Sequence, residues 1–207
     1  MDSQAALDLL RQHTFLTLGC TDPVAIGLAV AHACQGAEGT IRKIRVRLDR
    51  NIYKDAVSVG IPGTPCSGVD LAAALAVVCG RPEAGLELFR DLQPGDIEKA
   101  KAFLENHEVK FELDTDAEGI RITAAVETGR GVYEARIEGA HDRLVEKKAD
   151  GKTVFRLGSA CDGCSEPDGG DLQKFRNLTI PEIVETVSVL DTRDLGFLLE
   201  GIPRNLE

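Results

Sequence analysis

The stretch from Leu16 to Gly36 constrains the fold more than any other part of the chain. Within it, Val24 to Ala33 is almost wholly apolar and built mostly from small side chains. A helix that is apolar on every side has no wet face, so it belongs in a core with neighbours close to its backbone. Asp22 is a suitable N-cap, and Pro23 suits the first helical position, where an N–H has no intrahelical partner in any case. Gly36 is a suitable stop. The pattern predicts a buried helix over 23–35. Cys20 then falls just ahead of the helix N-terminus, where the dipole favours an anion, while the Asp22 carboxylate opposes that effect. Two readings stand: a reactive thiolate or metal ligand, and a small buried residue at a turn.

Val69 to Cys79 repeats the apolar, alanine-rich pattern and predicts a second buried helix. Ahead of it runs Gly60-Ile-Pro-Gly-Thr-Pro-Cys-Ser-Gly68. A loop of this composition brings backbone N–H groups close to an anion, or serves as a plain rigid turn. It lacks the Gly-Lys-Ser/Thr ending of a nucleotide triphosphate loop. Between the two helices, Ile41 to Leu48 alternates, with Ile44, Val46 and Leu48 on one face and Lys43, Arg45 and Arg47 on the other, as expected of a strand with one wet face. Residues 3–12 read as a helix capped by Ser3, and 82–92 as a short amphipathic helix.

Composition shifts at Gln93-Pro94-Gly95. A polar helix over 96–106 follows, then strand-like runs at 109–113, 119–127, 132–138, 143–148 and 153–157, separated by turn signals. Pro181 to Leu190 and Thr192 to Leu199 return to a helical pattern. The expected class is α+β: a mainly helical lobe, residues 1–92 with 172–207, and an inserted antiparallel-sheet lobe, residues 93–171. The helical lobe carries Cys20 and the glycine-rich loop.

The formal net charge of −10 repels nucleic-acid backbones and anionic lipid, so neither is an expected partner. No signal pattern and no apolar run of spanning length is present, which predicts a cytoplasmic protein. Six cysteines in 207 residues do not form a disulfide-scaffold pattern. Cys34 and Cys79 sit in apolar runs and read as core residues. Cys20, Cys66, Cys161 and Cys164 lie beside glycines and turns and stay open to chemistry. Cys161-x-x-Cys164 supplies two metal ligands of the four a zinc site needs, with no second pair at ribbon spacing.

Three stretches together carry a resemblance: Gly19-Cys-Thr-Asp-Pro-Val-Ala-Ile26, Asn51-Ile-Tyr-Lys-Asp-Ala56 and Val59-Gly-Ile-Pro-Gly-Thr64. Weaker echoes are Ile137-Glu-Gly-Ala-His141 and Phe197-Leu-Leu-Glu-Gly201. On these the chain resembles the L-cysteine desulfidase and L-serine dehydratase alpha-chain family of iron–sulfur enzymes. The resemblance implies a lyase that eliminates hydrogen sulfide or water from L-cysteine or L-serine, giving pyruvate and ammonia. It implies a [4Fe–4S] cluster held by three cysteines, with Cys20 as a cluster ligand or the thiolate beside it. It further implies that Asn51 and Lys54 bind the substrate carboxylate and that Gly60, Gly63 and Thr64 wall the site. Members of that family are about twice this length, with their other cluster cysteines in the half this chain does not span. A second chain carrying those cysteines, or a homo-oligomer, is therefore an expected partner. A non-catalytic binding or regulatory domain that keeps the fold is the alternative.

Overall fold

The structure, a computed structural model, describes residues 3–158 and 176–204. These fall into two units, one of 17–157 and one formed by the two ends of the chain, 1–16 with 158–207.

The larger unit is a sheet with helices on one face. The buried helix α2, Thr21–Cys34, packs on the sheet, with every residue from Pro23 to Ala31 buried. Next come β1, Ile41–Leu48, and α3, Arg50–Ser58. Helix α4, Val69–Cys79, covers the residues the sequence predicts and packs against α2 and against α5, Asp96–Asn106. Small residues let these helices meet closely. A Cβ on Gly27 would stand 2.7 Å from Phe89 Cζ, and Phe89 is fully buried. Burying side chains such as Phe89, Ile26 and Leu75 contributes roughly 1.5–3 kcal/mol each. The segment expected as a helix over 82–92 is instead a 3-10 turn, Pro82–Glu87, broken at Gly85 with φ +54°.

The remaining strands are β2, Glu108–Leu113; β3, Arg121–Thr128; β4, Val132–Glu138; β5, Leu144–Ala149; and β6, Lys152–Arg156. The sheet order is β2-β1-β3-β4-β5-β6. The α+β class expected from the sequence holds, and β3 to β6 form the expected antiparallel meander. The expected lobe boundary near residue 93 does not. Strand β1 lies inside the sheet, parallel to β2 and antiparallel to β3. Ile44, Val46 and Leu48 are fully buried on one face of β1, and α3, α4 and α5 form the crossover that brings the chain back to pair β2 beside it. The sheet is thus shared across residue 93. Asp49, 3% exposed, locks this join: Oδ1 accepts from the Asn51 and Ile52 N–H groups at the start of α3, and Oδ2 accepts from the Arg121 N–H on β3.

In the smaller unit, α1, Ser3–His13, packs against α6, Ile180–Ser188, and the Arg11 guanidinium lies 5.7 Å from the centre of the Phe197 ring. Thr179 and Glu182 form a capping box at the start of α6. Two single-turn helices, α7, Gly196–Leu199, and α8, Gly201–Arg204, follow. No helix among the described residues is long and apolar enough to cross a membrane.

Candidate functional site

Helix α2 begins two residues earlier than the sequence suggests, and Cys20, not Asp22, occupies the N-cap position, with φ −63° and ψ 126°. No side chain caps the helix, which frees the Asp22 carboxylate for other partners. Asp22 Oδ1 lies 3.0 Å from His141 Nε2, and the Cys20 thiol donates weakly to Asp22 Oδ2 at 3.8 Å. Asp22 therefore stands between a thiol and an imidazole. Both partners of the Asp22–His141 contact are largely shielded, with side chains 16% and 30% exposed. With Asp22 ionised, His141 Nε2 carries the proton and donates, and Nδ1 is left as the acceptor.

His141 arrives from the turn between β4 and β5. Gly139 adopts φ +84° and donates its N–H to the Ile120 carbonyl at 3.0 Å, which sets the turn against β3. Sequence reasoning placed no functional role on His141. A histidine in a glycine turn, 119 residues from Asp22, carries no spacing signal toward it. The echo Ile137 to His141 was the only pointer.

The loop 60–68 sits beside the Cys20 turn. A Cβ on Gly19, φ +151°, would stand 3.2 Å from Pro62 Cγ, and one on Gly63, φ +76°, would meet the Phe89 carbonyl at 3.0 Å and Leu18 at 3.8 Å. The loop closes on itself through a Gly60–Ser67 bridge and an Ile61 N–H to Cys66 carbonyl bond of 2.8 Å. The Thr64 hydroxyl is engaged inside it, donating to the Ile61 carbonyl at 3.0 Å and accepting from the Cys66 N–H at 3.0 Å. Thr64 thus shapes the loop, with Gly60 and Gly63 exposed along it.

Asn51 and Lys54 lie on α3, which packs on α2 and α4. Lys54 is 72% exposed and pairs with Asp55 at 3.2 Å, while the Asn51 N–H donates to Asp49. No hydrogen bond or ion pair among the described residues joins either of them to Cys20, Asp22 or His141.

Cys34 and Cys79 are packed against the core, as expected, and burial pushes each thiol up to about 11. Cys66 is a free, half-buried thiol. Cys161 and Cys164 lie outside the described residues. Among the described residues, no three histidine, cysteine, aspartate or glutamate side chains gather to hold a metal ion. These residues alone do not fit a cluster held by three cysteines, and Cys20 is the ligand they offer.

No protein-family model matches the chain. Over 205 residues, 99% of the chain, it is 30% identical to a UPF0597 protein of Clostridium botulinum, covering 46% of that protein. It is 31% identical to a UPF0597 protein of Desulfatibacillum aliphaticivorans over 97% of the chain and 47% of the relative. A UPF0597 protein of Caldanaerobacter subterraneus is 33% identical over 96% of the chain and 46% of the relative. The chain spans about half the length of the curated relatives it matches. The family assignment drawn from the motifs is corrected by this result, because these relatives carry the name UPF0597 protein and none of them is named a desulfidase or a dehydratase. What the chain is similar to, over nearly all of its own length, is about half of a UPF0597 protein.

Proposed function

We propose that this chain supplies one half of the site of a lyase that eliminates the β-substituent of L-cysteine or L-serine, the other half coming from a second segment or chain. The supporting observation is the Cys20–Asp22–His141 arrangement, in which one carboxylate holds an imidazole on one oxygen and a thiol on the other, at the mouth of a buried helix. A base held by a third group is the arrangement that proton abstraction needs. In this reading His141 takes the Cα proton at Nδ1. The electron pair forms the Cα–Cβ double bond, and the Cβ–S or Cβ–O bond breaks with its electrons on the leaving atom, which departs as hydrogen sulfide or water once protonated. The resulting enamine tautomerises to an imine, and one water converts it to pyruvate and ammonia. The Cys20 turn and the 60–68 loop hold the amino acid against the imidazole and exclude bulk water.

A [4Fe–4S] cluster in the assembled protein would draw on Cys20 from this chain and on ligands from elsewhere, and would supply a Lewis acid for the leaving group. The alternative, a non-catalytic binding or regulatory domain, draws on Lys54, which is exposed and paired with Asp55. One experiment separates the two. The chain is purified anaerobically alone and with the segment that completes the relatives' length, and pyruvate release from each amino acid is followed beside iron and sulfide content. The lyase reading expects pyruvate from the completed protein and a sharp loss in Cys20→Ser. A folded, completed protein that releases no pyruvate from either amino acid contradicts it.

A further inference from the structure

The face of the sheet turned away from α2 carries a slot. In cross-strand register, Arg45 on β1 faces Ala125 on β3, which faces Glu134 on β4; in the next row Arg47 faces Thr123, which faces Arg136. These six residues line one depression. They alternate along each strand with the buried Val46, Ala124 and Ala135, so they rise from the wet face. The floor is made of two short side chains, Ala125 and Thr123. The walls are long charged ones on strands about 10 Å apart, twice the usual strand spacing.

The charges on these walls are unevenly matched. Arg47 is held by Asp114 at 2.9 Å. Arg45 on one wall and Glu134 on the other make no hydrogen bond or ion pair among the described residues. Arg136 lies between two carboxylates, Nε 3.5 Å from Glu138 Oε2 and Nη2 3.7 Å from Glu146 Oε2. The open guanidinium fork of Arg45 and the open carboxylate of Glu134 thus face each other across a gap that no side chain fills. A guanidinium fork matches a carboxylate, and a lone carboxylate matches an ammonium.

We infer that this slot binds a free α-amino acid as its zwitterion, carboxylate toward Arg45 and ammonium toward Glu134, at a place distinct from the Cys20 turn. Such a site is a sensing site: the Glu134 carboxylate is engaged by the ammonium, and the amino acid is bound and not transformed. The inference stands on the sheet's register and its unmatched charges, and it does not rest on the lyase reading.

The test titrates the ¹⁵N-labelled full chain with L-alanine, which has no β-leaving group and cannot be eliminated. Saturable shifts are expected at the amides of Arg45, Ala125 and Glu134. Glu134→Gln and Arg45→Gln should each weaken binding about tenfold or more, the effect of losing a hydrogen bond to a charged group. Both should keep the wild-type thermal midpoint, having no partner to lose, and Cys20→Ser should bind L-alanine as the wild type does. Absence of shifts on β1, β3 and β4 would overturn the inference. Acetate binding as tightly as L-alanine would do so as well, because the ammonium contact with Glu134 would then contribute nothing. Loss of binding in Cys20→Ser would place the amino acid at the helix end instead.

Discussion

A cysteine and a histidine are found at each end of α2, and the two ends differ in what surrounds these side chains. At the N-terminal end, Cys20 and His141 share the Asp22 carboxylate, one on each oxygen. At the C-terminal end, Cys34 is sunk against the core with its thiol pushed up to about 11 by burial. His32 there has a buried Nδ1 without a hydrogen bond, and its pKa is lowered by burial and by the Lys147 ammonium, with Glu83 opposing. A shared carboxylate ties the first thiol and imidazole together. At the second end, burial raises the thiol's pKa and lowers the imidazole's. Residue types alone do not distinguish the two ends; their partners do.

The comparison requires α2 to hold both ends rigidly, so the largest effect should come from its middle. Gly27→Leu would drive a side chain into Phe89 and Leu88, where even a Cβ stands 2.7 and 3.0 Å away. Overpacking of this kind is expected to cost about 3 kcal/mol, read as a lower denaturant midpoint. An unchanged midpoint would mean that α2 is not the packed rod described here.

Thiol chemistry gives the next effect. At pH 8, a thiol raised from 9.0 to about 11 has about one-hundredth of the thiolate, so Cys34 and Cys79 should alkylate about a hundredfold more slowly than an unperturbed cysteine. Peptide-resolved labelling with iodoacetamide should find Cys20 modified well before either. Equal rates at Cys20 and Cys34 would erase the contrast between the helix ends.

Much of the frame could be read from the sequence because it follows from single elements. The all-apolar runs of α2 and α4 mark buried helices, and the alternation of β1 and of β3 to β6 marks strands. What escaped depends on pairing between distant segments. The place of β1 inside the sheet rests on a parallel partner sixty-odd residues later, and no local pattern shows it. Asp22 looked like the cap because its residue type caps well; the structure gives the cap to Cys20 and turns Asp22 toward His141. Cys20 was legible as a site residue from its place before a buried helix. His141 was not, because the contact that gives it a role is tertiary. The resemblance gave Asn51 and Lys54 the substrate carboxylate; both lie on α3, where Lys54 pairs with Asp55 and the Asn51 N–H donates to Asp49.

Two smaller predictions sharpen the contrast. Asp22→Asn weakens the bond to His141, a partly shielded contact, and should lower stability by about 1 kcal/mol. The same loss should not add to that of His141→Asn in a double-mutant cycle, whereas full additivity would show that the pair is not coupled. The smallest effect concerns His32. Its folded pKa lies below the unfolded 6.5, so the unfolded chain takes up the proton first. The stability this position contributes is present above pH 6.5 and falls away as the pH drops below it. His32→Asn should therefore gain on the wild type in thermal midpoint between pH 7.5 and 5.5. A midpoint difference that does not change with pH would show that His32 titrates alike in both states.

The proposed chemistry resides at the N-terminal end of α2. The most direct test compares initial rates of pyruvate release from L-cysteine and L-serine by the anaerobically completed protein bearing His141→Ala or Cys34→Ala. Loss of a positioned base costs on the order of a hundredfold or more in rate, so His141→Ala should fall by that factor while Cys34→Ala stays within about twofold of wild type. A His141→Ala protein at the wild-type rate, with Cys34→Ala the slow one, would contradict it.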